Sequence, residues 1–519
     1  MQVLNLIVLL LFTLSEAVLA ANGPEWRSRT IYQVVTDRFA LTNGSTTTAC
    51  DTGLGLYCGG TWAGITQRLG YIQDMGFDAV WISPVTKQLD GNSIDGTSYH
   101  GYWQTNINEV NSAFGSEDDL RNLAAALHSR GMYLMVDIVV NHMAAHGPPE
   151  DVDYSVFTPF NDPSQYHSYC TIDYTDYTDD ANIEQCWMGS TNVPLPDLRT
   201  EDSAVASQWN TWISNLVSDY SIDGLRIDSL MQVNRDFWGG FMSAAGVYAV
   251  GEAYIIDNDF VCGFQDYVPG VINYMIYQPL VDAFKSTSGS ISGLVDAVTV
   301  LKAGACKDTS LLGTFSENHD QPRFAALNGD MASAKNIIAF TMLTDGIPII
   351  YQGQEQHYNA LGGSSTPFNR EALWLSGYNQ DAELYKHVKT MNAIRKNAIS
   401  DDSSYLSYQN NAVWSDTNNI AMRKGSMLTV LTNSGSGAGN TTLSIPSGYE
   451  DGVQVTELLS CRTATSSDGT LSVPMSGGAP RIYYPSVGIA GTGLCGGASN
   501  KTLKSKLKLR NSRLFQLDY

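Results

Sequence analysis

Three apolar segments of this sequence are followed by carboxylate side chains, and these residues are the first candidates for chemistry. Asp228 lies two positions after Arg226, Glu252 follows a second segment, and Asp320 follows a third. Residues two apart on an extended strand point to the same face, so Arg226 would lie beside Asp228 and keep it ionised. A structural ion pair would look the same. Three such acids together favour a functional site, in which carboxylates act as nucleophile or as general acid and base.

The segments around these acids alternate between apolar strands and helices. Strands are predicted over residues 30–35, 77–82, 132–140, 224–227, 248–251, 271–276, 311–315 and 347–351. Helical spacing separates most of them, for example over residues 117–130, 204–219 and 332–344. Continuous apolar strands indicate burial on both faces, as in a parallel sheet covered by helices. The α/β pattern predicts a (β/α)8 TIM barrel over residues 21–142 and 200–399, with its active site at the C-terminal ends of the strands.

Two regions depart from this alternation. Residues 143–199 are rich in Asp, Tyr, Pro and Thr and contain two cysteines, which predicts an inserted, irregular subdomain after strand 3. From 400 to 497, short β segments are separated by Gly, Ser and Asn, which predicts a C-terminal antiparallel β-sandwich. Residues 498–519 are basic, and we expect a flexible tail.

Composition narrows the classes of function. The chain has 52 acids against 30 bases, a net charge of −22, so a nucleic-acid partner is not expected. Residues 1–20 read as a signal peptide, with an apolar run at 6–14 and a cleavage pattern that ends at Ala20. No later stretch is long and apolar enough to span a membrane. The sequence predicts a secreted, extracellular monomer, and it leaves retention at the cell wall open.

Eight cysteines, all beyond the leader, suit an oxidising compartment. Their order suggests four local disulfides, although other pairings remain open: Cys50–Cys58, Cys170–Cys186, Cys262–Cys306 and Cys461–Cys495. Zinc binding is the competing interpretation, and the absence of a C-x-x-C motif and of clustered histidines argues against it. Acceptor sequons for N-glycosylation stand at Asn43, Asn440 and Asn500.

Four motifs that contain these acids resemble those of fungal secreted α-amylases, a family of retaining, α-glucan-acting barrel enzymes. They lie at residues 137–142, 224–228, 251–253 and 317–320, and each alone is weak, whereas the four in this order are specific. The resemblance covers nearly the whole chain, including the order of the cysteines. It implies a glycoside hydrolase that cleaves internal α-1,4 bonds of starch, glycogen or maltooligosaccharides and retains the anomeric configuration.

The resemblance also implies a role for individual residues. Asp228 would be the nucleophile, Glu252 the general acid and then base, and Asp320 the residue that holds the distorted sugar. Further substrate contacts are implied for Tyr102, Trp103, His142, Arg226, His319 and Arg370. A core tryptophan or a structural histidine is the alternative at Trp103 and at the two histidines.

Calcium is the metal that the family resemblance implies, at a site that joins the barrel to the insertion. The matching positions are Asn141, Glu184, Asp197 and the backbone carbonyl of Gln232, and carboxylate, amide and carbonyl oxygens suit Ca²⁺. The alternative is that these are ordinary loop residues that cap turns.

Three positions depart from the family pattern and leave the fate of the glycosyl-enzyme open. Met231 and Gln232 stand where the family usually has a lysine and a histidine on the leaving-group side, and Thr366 replaces a donor-side aspartate. One alternative is therefore a 4-α-glucanotransferase in cell-wall α-glucan metabolism, in which a sugar hydroxyl replaces water. Another is a catalytically weak glucan-binding homologue.

Overall fold

The computed structural model describes residues 23–363 and 367–496, and the larger part of these folds around a ring of eight parallel strands. In chain order the strands are Ile31–Val34 (β1), Ala79–Ile82 (β2), Tyr133–Ile138 (β3), Gly224–Ile227 (β4), Tyr248–Gly251 (β5), Gly270–Val271 (β6), Gly313–Thr314 (β7) and Ile347–Tyr351 (β8). Neighbours pair in parallel around the ring, including β8 with β1. A parallel bridge between Ile272 and Gly313 joins β6 to β7. The predicted TIM barrel is confirmed.

Helices cover the outside of this barrel. They include Trp62–Asp74 (α1), Glu117–His128 (α2), Ser203–Tyr220 (α3), Arg235–Ala245 (α4), Asn258–Gly263 (α5), Tyr274–Phe284 (α6), Ile291–Val300 (α7), Met331–Leu343 (α8) and Glu383–Asp401 (α9). Four-residue to six-residue helices also occur at Gly23–Trp26, Thr36–Phe39, Asp180–Gln185 and Phe324–Leu327. In α2, a capping box between Ser116 and Asp119 fixes the first turn, and the apolar stripe that includes Leu120 and Leu127 is buried.

The strand expected over residues 271–276 is wrong beyond its first two residues. The chain leaves the sheet after the bridge at Ile272, and the Asn273 side chain accepts a hydrogen bond from the amide of Ile276, which starts α6. Met275 and Ile276 are buried in the helix as they would be in a strand. An apolar run that is buried on all sides does not distinguish the two structures.

Residues 143–199 form an irregular segment against the C-terminal end of β3. It contains the helix Asp180–Gln185 and a two-stranded ribbon of Met188–Gly189 and Pro194–Leu195. A bridge between His142 and Asp197 attaches it to the barrel. A hairpin of Thr86–Gln88 and Gln104–Val110, which the sequence did not predict, lies beside it, and the amide of Ala144 donates to the carbonyl of Gln104. Both elements therefore stand above the C-terminal mouth of the barrel.

The C-terminal region is the predicted antiparallel β-sandwich. Its larger sheet contains, in spatial order, Asn411–Ser415, Asn419–Lys424, Met427–Thr432, Arg481–Pro485, Gln454–Glu457 and Arg462–Thr465. Thr441–Pro446 pairs with Thr470–Met475 in the second sheet. Leu428, Val430, Ile445 and Val473 are fully buried in the core of this region.

The four disulfides have the predicted pairing, Cys50–Cys58, Cys170–Cys186, Cys262–Cys306 and Cys461–Cys495. Among residues 23–363 and 367–496, no helix has both the length and the apolar character needed to cross a membrane. The leader at 1–20, Thr366, Asn500 and the basic tail lie outside the described residues.

Candidate active site

The predicted catalytic acids stand at the C-terminal mouth of the barrel. Asp228 follows the last residue of β4, Glu252 follows the last residue of β5, and Asp320 lies in the loop after β7. Backbone hydrogen bonds extend the sheet to Asp228 and Glu252. The amide of Asp228 donates to the carbonyl of Ile138, and the amide of Glu252 donates to the carbonyl of Ile227. Their backbones are therefore fixed by the sheet. The side chains of the three acids remain 13%, 15% and 20% exposed, so a ligand can reach them.

One buried guanidinium joins the two acids that would break the bond. Nη1 of Arg226 lies 2.8 Å from Oδ1 of Asp228, and its Nη2 lies 2.6 Å from Oε2 of Glu252. Nη1 also lies 3.0 Å from Oδ1 of Asp137, which is buried on β3. Charge-assisted bonds of this kind fix both direction and distance. Arg226 therefore orients two carboxylates toward one another and offsets the negative charge around them.

The environment of Glu252 favours its protonated form at neutral pH. Burial raises the pKa of Glu252 to about 8, and the charges of Asp228 and Asp320 add to this rise while Arg226 opposes it. Its Oε1 lies 3.5 Å from the hydroxyl of Tyr274, on the side away from the guanidinium. A carboxyl group that stays protonated next to ionised carboxylates has the property that a general acid needs.

Asp320 is held as an anion by cationic and polar partners. Its Oδ1 accepts a hydrogen bond from Nη2 of Arg370 at 3.0 Å, and its Oδ2 lies 3.1 Å from Nε2 of His319. Burial opposes its ionisation, but His319, Arg370 and Arg226 outweigh this effect and lower the pKa of Asp320 below its usual value. Glu252 and Asp320 thus occupy one site in opposite protonation states.

His319 and Tyr102 connect the third acid to the floor of the site. The Tyr102 hydroxyl lies 2.7 Å from Oδ2 of Asp137 and 2.8 Å from Nε2 of His319, and Nδ1 of His319 lies 2.6 Å from the amide nitrogen of Gln33. Burial lowers the pKa of His319 to about 4, so the ring is neutral. Since the Gln33 amide donates to Nδ1, the proton resides on Nε2, which faces Tyr102 and Asp320. Both ring nitrogens therefore have protein partners.

The remaining predicted substrate contacts line the same mouth. His142 is buried, its Nε2 lies 3.1 Å from the backbone oxygen of Tyr102, and burial lowers the pKa of this imidazole. Trp103 is half-buried and meets the ring of His100 edge-on at 4.7 Å. The ring of His100 is nearly parallel to that of Tyr102, at 5.6 Å. All nine predicted catalytic and substrate-binding residues are thereby brought together around one opening.

Several residues of the site were not predicted. Gln33, His100, Ser229 and Tyr274 contact the predicted residues directly. Asp137, which bonds Arg226, lies within the predicted apolar strand 132–140 and opens the motif at 137–142, but no role was predicted for it. That isolated acid was the one sequence signal, because a lone charge on a strand buried on both faces needs a buried partner. His100 stands in the aromatic segment 99–103, which also supplies Tyr102. Ser229 and Tyr274 carried no signal in the sequence.

The predicted calcium ligands lie where the insertion meets the barrel. Asn141 and Asp197 are buried on adjacent segments, and the amide of Leu198 donates to the carbonyl of Asn141 at 2.9 Å. Oδ1 of Asp197 is buried and has no hydrogen-bond partner within the described part of the chain, whereas its Oδ2 lies 2.7 Å from Nδ1 of His167. A buried carboxylate oxygen that lacks a partner suits a cation, so these two residues fit calcium.

The other two predicted ligands are compatible with this location. Gln232 is buried in the turn Leu230–Gln232, and Glu184 is half-buried in the helix Asp180–Gln185. Burial raises the pKa values of Glu184 and Asp197 to about 7, and the charge of Glu201 contributes to both. Among the described residues, no cluster of three or more His, Cys, Asp or Glu side chains is arranged for a metal. The predicted set consists of two carboxylates, a side-chain amide and a backbone carbonyl, so each of the four residues offers an oxygen ligand.

Comparisons with known proteins agree with this geometry. The profile "Alpha amylase, catalytic domain" matches residues 33–421, and the profile "Alpha-amylase, domain C" matches residues 412–503. The chain is 50% identical over 475 residues to "Alpha-amylase 2" of Schwanniomyces occidentalis, covering 91% of this chain and 92% of that protein. It is 48% identical over 465 residues to the "Alpha-amylase" of Saccharomycopsis fibuligera, covering 89% and 92%.

A solved structure shows the same relationship in three dimensions. The α-amylase from Malbranchea cinnamomea is 52% identical to this chain and superposes with a TM-score of 0.88, over 92% of this chain and 100% of that one. The match includes both the barrel and the C-terminal sheets. Two acids of the site are bound to one arginine, and the chain is similar to known α-amylases along nearly its whole length. This chain therefore belongs to the α-amylase family of glycoside hydrolases.

Proposed function

We propose that this protein hydrolyses internal α-1,4-glucosidic bonds in starch-type and glycogen-type glucans by a retaining double displacement. The observation that carries the proposal is that Asp228 and Glu252 are both bound to the guanidinium of Arg226. Oδ1 of Asp228 lies 2.8 Å from its Nη1, and Oε2 of Glu252 lies 2.6 Å from its Nη2. A retaining enzyme needs one ionised and one protonated carboxyl group on either side of the scissile bond, about 5–5.5 Å apart. The raised pKa of Glu252 supplies the second of these.

The reaction proceeds in two steps at these side chains. In the first, an oxygen of Asp228 attacks the anomeric carbon, the glycosidic bond breaks, and its oxygen takes the proton of Glu252. In the second, Glu252 accepts a proton from water, whose oxygen attacks the anomeric carbon, and the electron pair of the enzyme–sugar bond returns to Asp228. Asp320 stays ionised and stabilises the positive charge that develops on the sugar ring. Tyr102, Trp103, His142, His319 and Arg370 shape the pocket around that ring.

Calcium belongs to the same proposal as a structural ion. Asn141, Glu184, Asp197 and the carbonyl of Gln232 would hold it, and it would supply charge that fixes the insertion to the barrel. Gln232 lies four residues after the nucleophile, so order at the metal site extends to the active site. The segment at 1–20 and the sequons further support a secreted glycoprotein, and both Asn43 and Asn440 are exposed.

A defined oligosaccharide tests the reaction. We expect maltoheptaose to give shorter α-configured products, and we expect the E252Q variant to lose activity by about 10²- to 10⁴-fold, the usual contribution of a general acid. Products longer than seven glucose units as the main outcome would instead assign the chain to glucan transfer. If the parent protein is as inactive as E252Q but still binds glucan, the chain is instead a glucan-binding homologue.

A further inference from the structure

The serine next to the nucleophile has an unusual backbone. Ser229 adopts φ 51° and ψ 42°, in the left-handed region that residues other than glycine rarely occupy. It is buried, with 5% of its surface exposed, directly after Asp228 and at the base of the site. Such a conformation costs free energy and is kept where surrounding contacts require it, often at functional sites.

The contacts of Ser229 reach both reacting carboxyl groups. Its hydroxyl lies 2.7 Å from Oδ2 of Asp228, and its backbone amide lies 3.5 Å from Oε2 of Glu252. Nη1 of Arg226 donates a hydrogen bond to the other oxygen of Asp228, Oδ1, at 2.8 Å. The two carboxylate oxygens of the nucleophile are thus each bound by one donor. Ser229 thus combines a left-handed backbone with a hydroxyl that bonds the residue before it.

We infer that Ser229 is a positioning residue that speeds release of the sugar from the nucleophile, an inference that rests on the proposed retaining mechanism. A hydrogen bond to Asp228 stabilises the free carboxylate more than the neutral ester of the glycosyl-enzyme, whichever oxygen carries the sugar. As the anomeric carbon–oxygen bond breaks, negative charge returns to Asp228 and the serine hydrogen bond strengthens. The hydroxyl therefore makes Asp228 a better leaving group in the second step.

The effect on the two steps differs in direction. In the first step the nucleophile loses charge, so the hydroxyl holds back the attack while it fixes the orientation of the carboxylate. In the second step the nucleophile regains charge, so the hydroxyl lowers the barrier. Removal of the hydroxyl should slow the second step, and the glycosyl-enzyme should accumulate. The values of kcat and KM then fall together, while kcat/KM, which reports the first step, is retained.

Two variants and an activated substrate test this inference. S229A removes the hydroxyl and keeps the side-chain carbon, whereas S229G removes the hydroxyl and also relieves the left-handed strain. With α-maltotriosyl fluoride, whose fluoride leaves without a proton from Glu252, we expect kcat to fall about tenfold in both variants with kcat/KM changed less than about twofold. Acid-quenched steady-state samples should show a maltotriosyl adduct by intact-protein mass spectrometry. S316A, a buried serine that bonds Gln354 instead, is the matched control and should behave as the parent.

The outcomes separate this inference from the proposed function. A fall in kcat/KM equal to that in kcat, without an adduct, would overturn it, as would variants that match the parent. An effect in S229A that is absent in S229G would assign the change to strain and would also overturn it. A parent that fails to cleave the fluoride, or that inverts the anomeric configuration, would refute the retaining mechanism itself. Melting temperatures close to that of the parent in S229G show that the fold is kept.

Discussion

Asp137 and Arg226 are register partners on the neighbouring parallel strands β3 and β4, and Nη1 of Arg226 lies 3.0 Å from Oδ1 of Asp137. Both side chains are almost completely buried. The arginine that holds the nucleophile and the general acid is therefore itself positioned by an acid one strand away. A slip of one residue between these strands would place Arg226 on the opposite face of the sheet. The register of the barrel thus determines the charge balance of the active site.

The pH dependence of the parent enzyme should show the raised pKa of Glu252. Only the protonated form donates a proton to the leaving sugar, and burial raises the pKa of this group to about 8. Activity should therefore persist through neutral pH and decline as the pH rises through about 8. The measurement is kcat/KM for maltoheptaose across the alkaline range, with stability checked at each pH. A decline centred near 4.5, the ordinary value for glutamate, would contradict this.

The variant D137N should move this alkaline decline to lower pH. The negative charge of Asp137 is among the contributions that raise the pKa of Glu252, so its removal lets Arg226 stabilise the ionised glutamate more strongly. We expect a shift of about one pH unit, together with lower kcat because an amide offers one acceptor oxygen where the carboxylate offers two to Tyr102 and Arg226. The exposed D118N on α2 is the control, and its profile should match that of the parent. An unchanged profile in D137N would show that Asp137 acts on structure alone.

The strands and their acids could be predicted because both follow from local pattern. Apolar runs on either side of Arg226 and Glu252 mark strands buried on both faces, and β4, β5 and β8 have the predicted bounds. The strand Arg462–Thr465 has no apolar pattern that would predict it, because three of its four residues are polar and the strand is largely exposed at a sheet edge. Helix α9, which no sequence feature had singled out, buries one face that includes Val388 and Met391.

The connections between site residues could not be predicted, because they depend on long-range geometry. Gln33 and His319 are 286 positions apart in sequence and 2.6 Å apart in the structure. The contact of Ser229 with Asp228 is local, yet it depends on a left-handed backbone that the sequence does not indicate. Met231 and Gln232, the two departures next to the nucleophile, prove to be buried, at 5% and 7% exposure. Burial of these positions could not be derived from the residue types alone.

Removal of calcium should destabilise the protein before it alters the chemistry of the acids. A chelator would leave the buried Oδ1 of Asp197 without a partner and would loosen the insertion from β3. We expect a lower melting temperature that added Ca²⁺ restores, and a much smaller response to calcium in D197N. The exposed D151N, in the same insertion, should keep the full calcium response. A parent whose melting temperature is unchanged by chelation would refute the site.

The contact between the barrel and the C-terminal sandwich should depend on a buried ion pair. Lys424, 3% exposed, reaches from the sandwich to Asp345 at the base of the barrel, and Asp345 also accepts hydrogen bonds from the amide of Asn410. Loss of one partner leaves a buried charge without compensation, which typically costs about 3–5 kcal/mol. D345N should therefore lower the melting temperature more than K424M, because it leaves the charge of Lys424 buried at 3% exposure. The charge that K424M leaves on Asp345 is 15% exposed and keeps its hydrogen bonds from the amide of Asn410. The double variant should be less destabilised than the sum of the two single variants, which a double-mutant cycle measures directly. Additive effects would show that the two side chains contribute independently to this interface.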